Sequence, residues 1–232
     1  IHTTVNNTAW KSEIHVLDRD GRVRESMTGC REFKVDDSPF YIEQGGILYG
    51  ILPEISQWVT VCGETRSTHW YDLNEGNRNV KDTTVSVFEI GINHGMHPTD
   101  TSYAYFMHCK GQDITRYLQE EQLKVLANNR QVQAVSSADG NVVQAIFYSA
   151  DAVLTTQDGW LKLSAPGAVM LERKKAEDVT YITVCDGKQD LSLTEMTVSL
   201  QLPEADRQEI HIPLPGGVQC GRPVTVISCT LY

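Results

Sequence analysis

Short stretches rich in Val, Ile, Thr, Tyr and Phe recur from end to end of this chain, each bounded by Gly, Asp, Asn or Pro. They are too brief and too β-branched for amphipathic helices, and their punctuation is that of strands joined by turns. Residues 14–17 and 22–25 flank Asp18, Arg19, Asp20 and Gly21, a polar, Gly-ended connection of hairpin length. The same reading makes strands of residues 57–62, 84–93, 102–109, 131–136, 142–148, 168–173, 180–186, 196–202 and 223–231. Apolar and polar residues alternate in several of them, the pattern of a sheet with one buried face. The expected class is all-β.

One helix is expected at residues 114–123, where Asp113 can cap and Ile114, Tyr117 and Leu118 share a face. It reads as a short connector. Strand spacing resumes after it, which places a boundary near Glu121 and divides the chain into domains 1–121 and 122–232. Two domains also suit a length of 232 residues. The late segment from Ile212 through Pro213 and Pro215 to Gly217 is an edge or a loop, because proline has no N–H to give to a ladder. No apolar run approaches the length of a membrane-spanning helix. The formal charge of −10 sets the chain apart from nucleic-acid binders, which present basic surfaces.

The chemistry-bearing patterns are weak. His94 and His97 form an HxxH followed by His108 and Cys109, but Gly95 and Pro98 mark a turn rather than the helix on which such spacing serves a metal. Histidines bonded to nearby backbone are the expectation, and no metal is assigned. Asp18, Asp20 and Gly21 resemble a calcium loop only at its start, since the position for its bidentate Glu is Gly29. No GxSxG, GxxxxGK[ST] or strand-borne GxGxxG occurs, so no nucleophile elbow or nucleotide cradle is read, and no cofactor is expected. The six cysteines include no CxxC pair. They read as buried free thiols, with a disulfide between Cys220 and Cys229 as the alternative if those strands are neighbours.

His69, Trp70 and Tyr71 fall in an expected loop, followed by Asp72 and Asn74. Aromatic rings rimmed by polar groups suit stacking on a sugar, which makes Trp70 and Tyr71 the candidate carbohydrate-binding residues. Packing of Trp70 against the core is the competing reading. Tyr103 and Tyr105 share one strand face and are expected in the core.

Three segments together resemble polysaccharide lyase family 8, the family of chondroitin AC, chondroitin ABC, hyaluronate and xanthan lyases. They are Thr3-Thr4-Val5-Asn6; Ile92-Asn93-His94-Gly95 with Pro98 and Ser102-Tyr103-Ala104-Tyr105; and Gln133-Ala134-Val135 with Gln144 through Tyr148 (QAIFY). The spacing is similar to the chondroitin AC type, and INHGxxP followed by SYAY is the most specific part. Asn7 stands where the family's Thr-Thr-x-Asn-Gln has its Gln, and Lys110-Gly111 replaces a frequent Pro-Gly.

The resemblance implies a secreted or periplasmic enzyme made of an α/α toroid, a large central β super-sandwich and a smaller C-terminal β-sandwich. Residues 1–121 would be the C-terminal part of the super-sandwich and 122–232 the last domain. It implies β-elimination on a uronic-acid polysaccharide: an Asn and cationic groups neutralise the uronate carboxylate, and a Tyr or His removes the C5 proton. The family's catalytic His, Tyr, Arg and Asn lie in the toroid and its Glu lies early in the super-sandwich, so catalytic residues are expected upstream of Ile1 and none is assigned here. The implied partners are the polysaccharide, the upstream toroid and the remaining sandwich strands. Charge agrees, because a polyanion is repelled by a body of −10 and the clearest basic run is Arg173-Lys174-Lys175. A non-catalytic carbohydrate-binding sandwich is the alternative function.

Overall fold

Antiparallel pairing organises every sheet of the computed structural model, which describes residues 2–9, 13–36, 38–52, 57–78, 81–99, 101–109, 117–118, 123–156, 159–177, 179–201 and 207–229. Two units divide the chain, Ile1–Gln119 and Glu120–Tyr232.

The first unit contains β1 (His2–Ala9), β2 (Ile14–Leu17), β3 (Val23–Met27), β4 (Gly29–Val35), β5 (Phe40–Gln44), β6 (Ile47–Leu52), β7 (Gln57–His69), β8 (Asp82–Asn93) and β9 (Ala104–Cys109). They form a four-stranded sheet, β1-β8-β7-β4, and a five-stranded sheet, β3-β2-β5-β6-β9. Val59, Val61, Phe88, Ile90 and Ile92 of the first pack in one apolar cluster with Ile14, Ile42, Tyr49 and Ile51 of the second. Rings of Tyr49 and Phe88 meet across it at 5.5 Å. The five-stranded sheet has a second apolar face, where Leu17, Tyr41 and Leu48 cluster with Tyr117 and Leu118. Those two residues are helical and buried, while the rest of the expected helix 114–123, apart from Leu123, lies outside the described residues.

Two local devices set this sheet. Gly45 and Gly46 join β5 to β6 with φ of 61° and 85°, the left-handed pair a two-residue hairpin needs. Gly50 of β6 lies opposite Phe106 of β9, whose ring occupies the space a Cβ would take.

The second unit contains β10 (Lys124–Asn128), β11 (Val132–Ser136), β12 (Val142–Phe147), β13 (Leu154–Thr156), β14 (Gly159–Leu163), β15 (Gly167–Lys174), β16 (Val179–Cys185), β17 (Glu195–Gln201), β18 (Gln208–Pro213) and β19 (Val224–Cys229). A six-stranded sheet, β10-β11-β12-β15-β16-β19, and a four-stranded one, β13-β14-β17-β18, enclose a single core. Phe147, Leu154, Leu161, Ile182, Met196 and Val198 are all within 1% of full burial. Such side chains each contribute about 1.5–3 kcal/mol by leaving water. Strand β18 lies at a sheet edge and ends at Pro213, where the missing N–H costs no ladder bond.

The cysteines depart from expectation. Cys30 and Cys62 are direct cross-strand partners in β4 and β7, with Cα atoms 4.1 Å apart, and are joined in a disulfide. A sequence separation of 32 hides that adjacency. Cys220 is a free thiol, so the Cys220–Cys229 bridge does not form; Cys109 and Cys185 are free as well.

Candidate functional site

Strands β7 and β8 pair in register from Trp58 opposite Asn93 to His69 opposite Asp82. Their inner halves carry core residues such as Val59, Val61, Phe88 and Ile90, whereas residues 65–67 and 84–85 are exposed. The hairpin therefore runs past its core. Its outer part is held by the ladder and by charge: Arg66 donates to Glu64 at 2.7 Å and to Glu89 at 3.1 Å. Those two hydrogen bonds raise the Arg66 pKa.

At the tip the expected loop is a one-turn helix, α1 (Trp70–Leu73), closed by the Asn74 N–H donating to the Trp70 carbonyl at 2.9 Å. Trp70 is 46% exposed and Tyr71 44%. The core reading of Trp70 is thus overturned, because the turn of helix lifts both rings off the end of the ladder. His69 fixes that turn. Its Nδ1 lies 3.0 Å from Asp72 Oδ2 and its Nε2 2.7 Å from Asp82 Oδ1. Asp72 Oδ2 also accepts the His69 backbone N–H at 3.3 Å. With a carboxylate on each ring nitrogen both must be donors, the arrangement of an imidazolium. The hydrogen bond to Asp72, with the charges of Asp72 and Asp82, pushes the His69 pKa above its usual 6.5. One cation beside the aromatic pair in this way bridges two acids, leaving the group a net charge of −1.

The INHGxxP segment is built differently. His94 Nε2 lies 2.7 Å from the Thr3 hydroxyl, and Asn93 Oδ1 accepts the Gly95 N–H at 2.9 Å in a turn where Gly95 has φ 78°. The His94 pKa is lowered, first by desolvation and then by the charge of His2. Its ring packs on Tyr103 at 5.3 Å, and Tyr103 in turn lies 6.4 Å from Tyr105. Tyr103 is 41% and Tyr105 43% exposed, which corrects their expected place in the core: β9 is the edge strand of its sheet, with a partner on one side only. His108 is engaged elsewhere, stacked on Tyr117 at 4.3 Å. Among the described residues no group of three His, Cys, Asp or Glu side chains is placed to hold a metal.

These arrangements can brace, stack and hydrogen-bond. His69 and His94 lie at opposite ends of the β7–β8 ladder, His69 opposite Asp82 and His94 just past Asn93, which pairs with Trp58. The side chains the sequence singled out, Trp70 and Tyr71, are brought together and exposed. The His-x-x-Asp spacing at the start of the turn signals the contact of His69 with Asp72, whereas that with Asp82 has no local signal and depends on the β7–β8 register.

Comparisons with known proteins agree over both units. The model of the polysaccharide lyase family 8 super-sandwich domain matches residues 1–117, and that of the family 8 C-terminal β-sandwich domain matches residues 124–195. A chondroitinase-AC of Pedobacter heparinus is 32% identical over 127 residues, 53% of this chain and 18% of that protein. A hyaluronate lyase of Thermasporomyces composti is 30% identical over 144 residues, 60% of this chain and 17% of that protein. Among solved structures, a chondroitinase AC lyase studied as oligosaccharide complexes aligns with a TM-score of 0.80 at 23% identity, over 97% of this chain and 32% of that one. The chain thus spans less than a fifth of the two curated relatives and about a third of the solved one.

Proposed function

Because this chain belongs to polysaccharide lyase family 8, we propose that it is the C-terminal β region of a lyase that cleaves uronic-acid glycosaminoglycans, chondroitin or hyaluronan, by β-elimination. Residues 1–121 form the C-terminal part of the central super-sandwich and 122–232 the C-terminal β-sandwich. The observation that carries this reading is the order of the two family matches, laid end to end along the chain. The names of the relatives, a chondroitinase and a hyaluronate lyase, supply the substrate class. The groups that neutralise the uronate and remove the C5 proton belong to a toroid upstream of this region and to the earlier part of the super-sandwich. The region itself supplies scaffold, and alone it is inactive. Secretion or a periplasmic location fits the Cys30–Cys62 disulfide, since such bonds persist in oxidising compartments. Among the described residues no helix is long and apolar enough to cross a membrane.

The test is a lyase assay on the native protein that contains this region, beside the 232-residue chain alone, with chondroitin and hyaluronan as substrates. Unsaturated uronate, read by its ultraviolet absorbance, is expected from the first and not the second. Turnover by the chain alone would remove the upstream placement of the catalytic groups, and none from the native protein would remove the lyase reading.

A second reading is favoured by the exposure of Trp70 and Tyr71 on a braced tip: a non-catalytic contact with the polysaccharide through those rings. Titration calorimetry with chondroitin oligosaccharides checks it, with binding expected for the parent chain and weakened at least about tenfold by Trp70→Ala if its ring carries the stack.

A further inference from the structure

The QAV and QAIFY segments lie side by side in β11 and β12, with Gln133 opposite Ile146, Ala134 opposite Ala145 and Val135 opposite Gln144. The two alanines face the core, 4% and 3% exposed. Gln133, Gln144, Ile146 and Tyr148 face outward, where packing of the sandwich makes no demand on them. They lead into two rows that cross four strands. One row runs Val135, Gln144, Met170, Thr183, and the other Gln133, Ile146, Ala168, Cys185. With strands about 4.8 Å apart the rows are about 14 Å long. Small Ala168 between Ile146 and Cys185 leaves a depression, and the rows line a groove of about 420 Å³. That volume lies in the range of small-molecule sites.

No side chain lining this groove is charged, in a chain of net charge −10. A carboxylate or sulfate would find no cation there, so the complementary occupant is uncharged. Its polar groups are amides and a hydroxyl over an apolar floor. Gln144 donates only to the Met170 thioether at 3.5 Å, a weak acceptor, and among the described residues nothing donates to its Oε1. Gln144 Oε1 is therefore an unclaimed acceptor beside an apolar floor, the complement of the N–H and methyl edge of an acetamido group. Ile146, Ala168 and Met170 beside it fit a methyl group. At the end of the rows Tyr148, 51% exposed, is held by its hydroxyl donating to Gln133 Oε1 at 2.8 Å and presents a ring for stacking.

We propose that this outer face of the six-stranded sheet is a second glycan site, which takes the acetamido group of an N-acetylhexosamine unit. The acetamido N–H donates to Gln144 Oε1, and its methyl, which lies on the same side of the trans amide as the N–H, rests on Ile146, Ala168 and Met170 while the carbonyl points away from the sheet. Chondroitin and hyaluronan alternate a uronate with an N-acetylhexosamine, so the site rests on the glycan reading above. It contacts the neutral sugar and leaves the uronate outside the groove.

The experiment is an NMR titration of the isotope-labelled 232-residue chain with a chondroitin tetrasaccharide and with the same tetrasaccharide after N-deacetylation and neutral capping as the N-formyl derivative. Shifts are expected to cluster at Gln133–Val135, Gln144–Ile146 and Ala168–Met170, with the formyl analogue weaker because it lacks the methyl. Gln144→Ala is expected to weaken binding about fivefold through the lost hydrogen bond. Ile146→Glu is expected to weaken it more than about tenfold by placing a charge in the floor. Both positions are exposed, so an unchanged amide spectrum away from the groove certifies the fold. Equal binding of the two sugars, or no effect of either variant, overturns the acetamido assignment. Shifts confined to Trp70 and Tyr71 overturn this site and leave the glycan reading standing. Shifts at the groove that follow protein dilution rather than sugar overturn it in favour of self-association.

Discussion

The two units bury their sheets by different rules. In the second, each sheet turns one face to a single core and the other outward, and β16 alternates buried and half-buried residues along its whole length. In the first, the five-stranded sheet is apolar on both faces, so that neighbours along a strand are buried together: Tyr41 with Ile42 in β5, and Leu48 with Tyr49 in β6. One unit is a closed sandwich whose polar devices lie on its surface. The other is layered more deeply and carries a long hairpin beyond its core, stapled near its inner half by Cys30–Cys62 and braced at its tip by His69. Core packing and exposed aromatic surface are therefore placed apart: Trp70 and Tyr71 stand exposed on a tip held by electrostatics rather than by core packing.

Several measurements would break or sharpen that contrast. The largest effect is expected from Phe147→Ala, which empties the centre of the second core at a cost of about 3–5 kcal/mol. Calorimetry should show one transition fall while that of the first unit stays; a joint fall would mean that the units unfold as one. Replacing Cys30 and Cys62 by Ser opens a loop of separation 32 and is expected to remove about 2–4 kcal/mol from the first unit alone. Chemical denaturation checks this, and an unchanged midpoint would remove the staple from the account. Gly50→Ala sets a Cβ against the Phe106 ring and is expected to cost about 1–3 kcal/mol. A neutral outcome in thermal melts would mean that the ring moves aside without loss.

The smallest effect concerns the tip. Since the pKa of His69 is raised on folding, its contribution is fully present below the unfolded value of 6.5 and is lost as pH rises through the folded one. An NMR titration of the His69 ring should give a midpoint above 6.5, and Asp72→Asn should bring it down, because the bond to Asp72 is the main cause of the shift. A midpoint that ignores this change would sever the brace from its carboxylates.

How much could be read in advance follows the same division. Strands with one wet face announce themselves by alternation, and residues 142–148, 168–173 and 180–186 were legible to within a residue or so of β12, β15 and β16. Strands β5 and β6 were not, because burial on both faces erases the period of two on which that reading depends. The turn between them, Gly45-Gly46, was the available signal. For the candidate site, the sequence supplied Trp70 and Tyr71 as rings with polar neighbours, but their exposure hung on a four-residue helix too short to carry a periodic pattern.

Composition, turn chemistry and local motifs by themselves determined that this chain is all-β and that its segments resemble a polysaccharide lyase, since both depend on residues close in sequence. Only the tertiary structure decided that Cys30 meets Cys62, that His69 is clamped between Asp72 and Asp82, and that Gln144 and Ile146 floor a neutral groove. Each of these needs strands brought together from distant parts of the chain, and strand register, not sequence spacing, sets which side chains then touch.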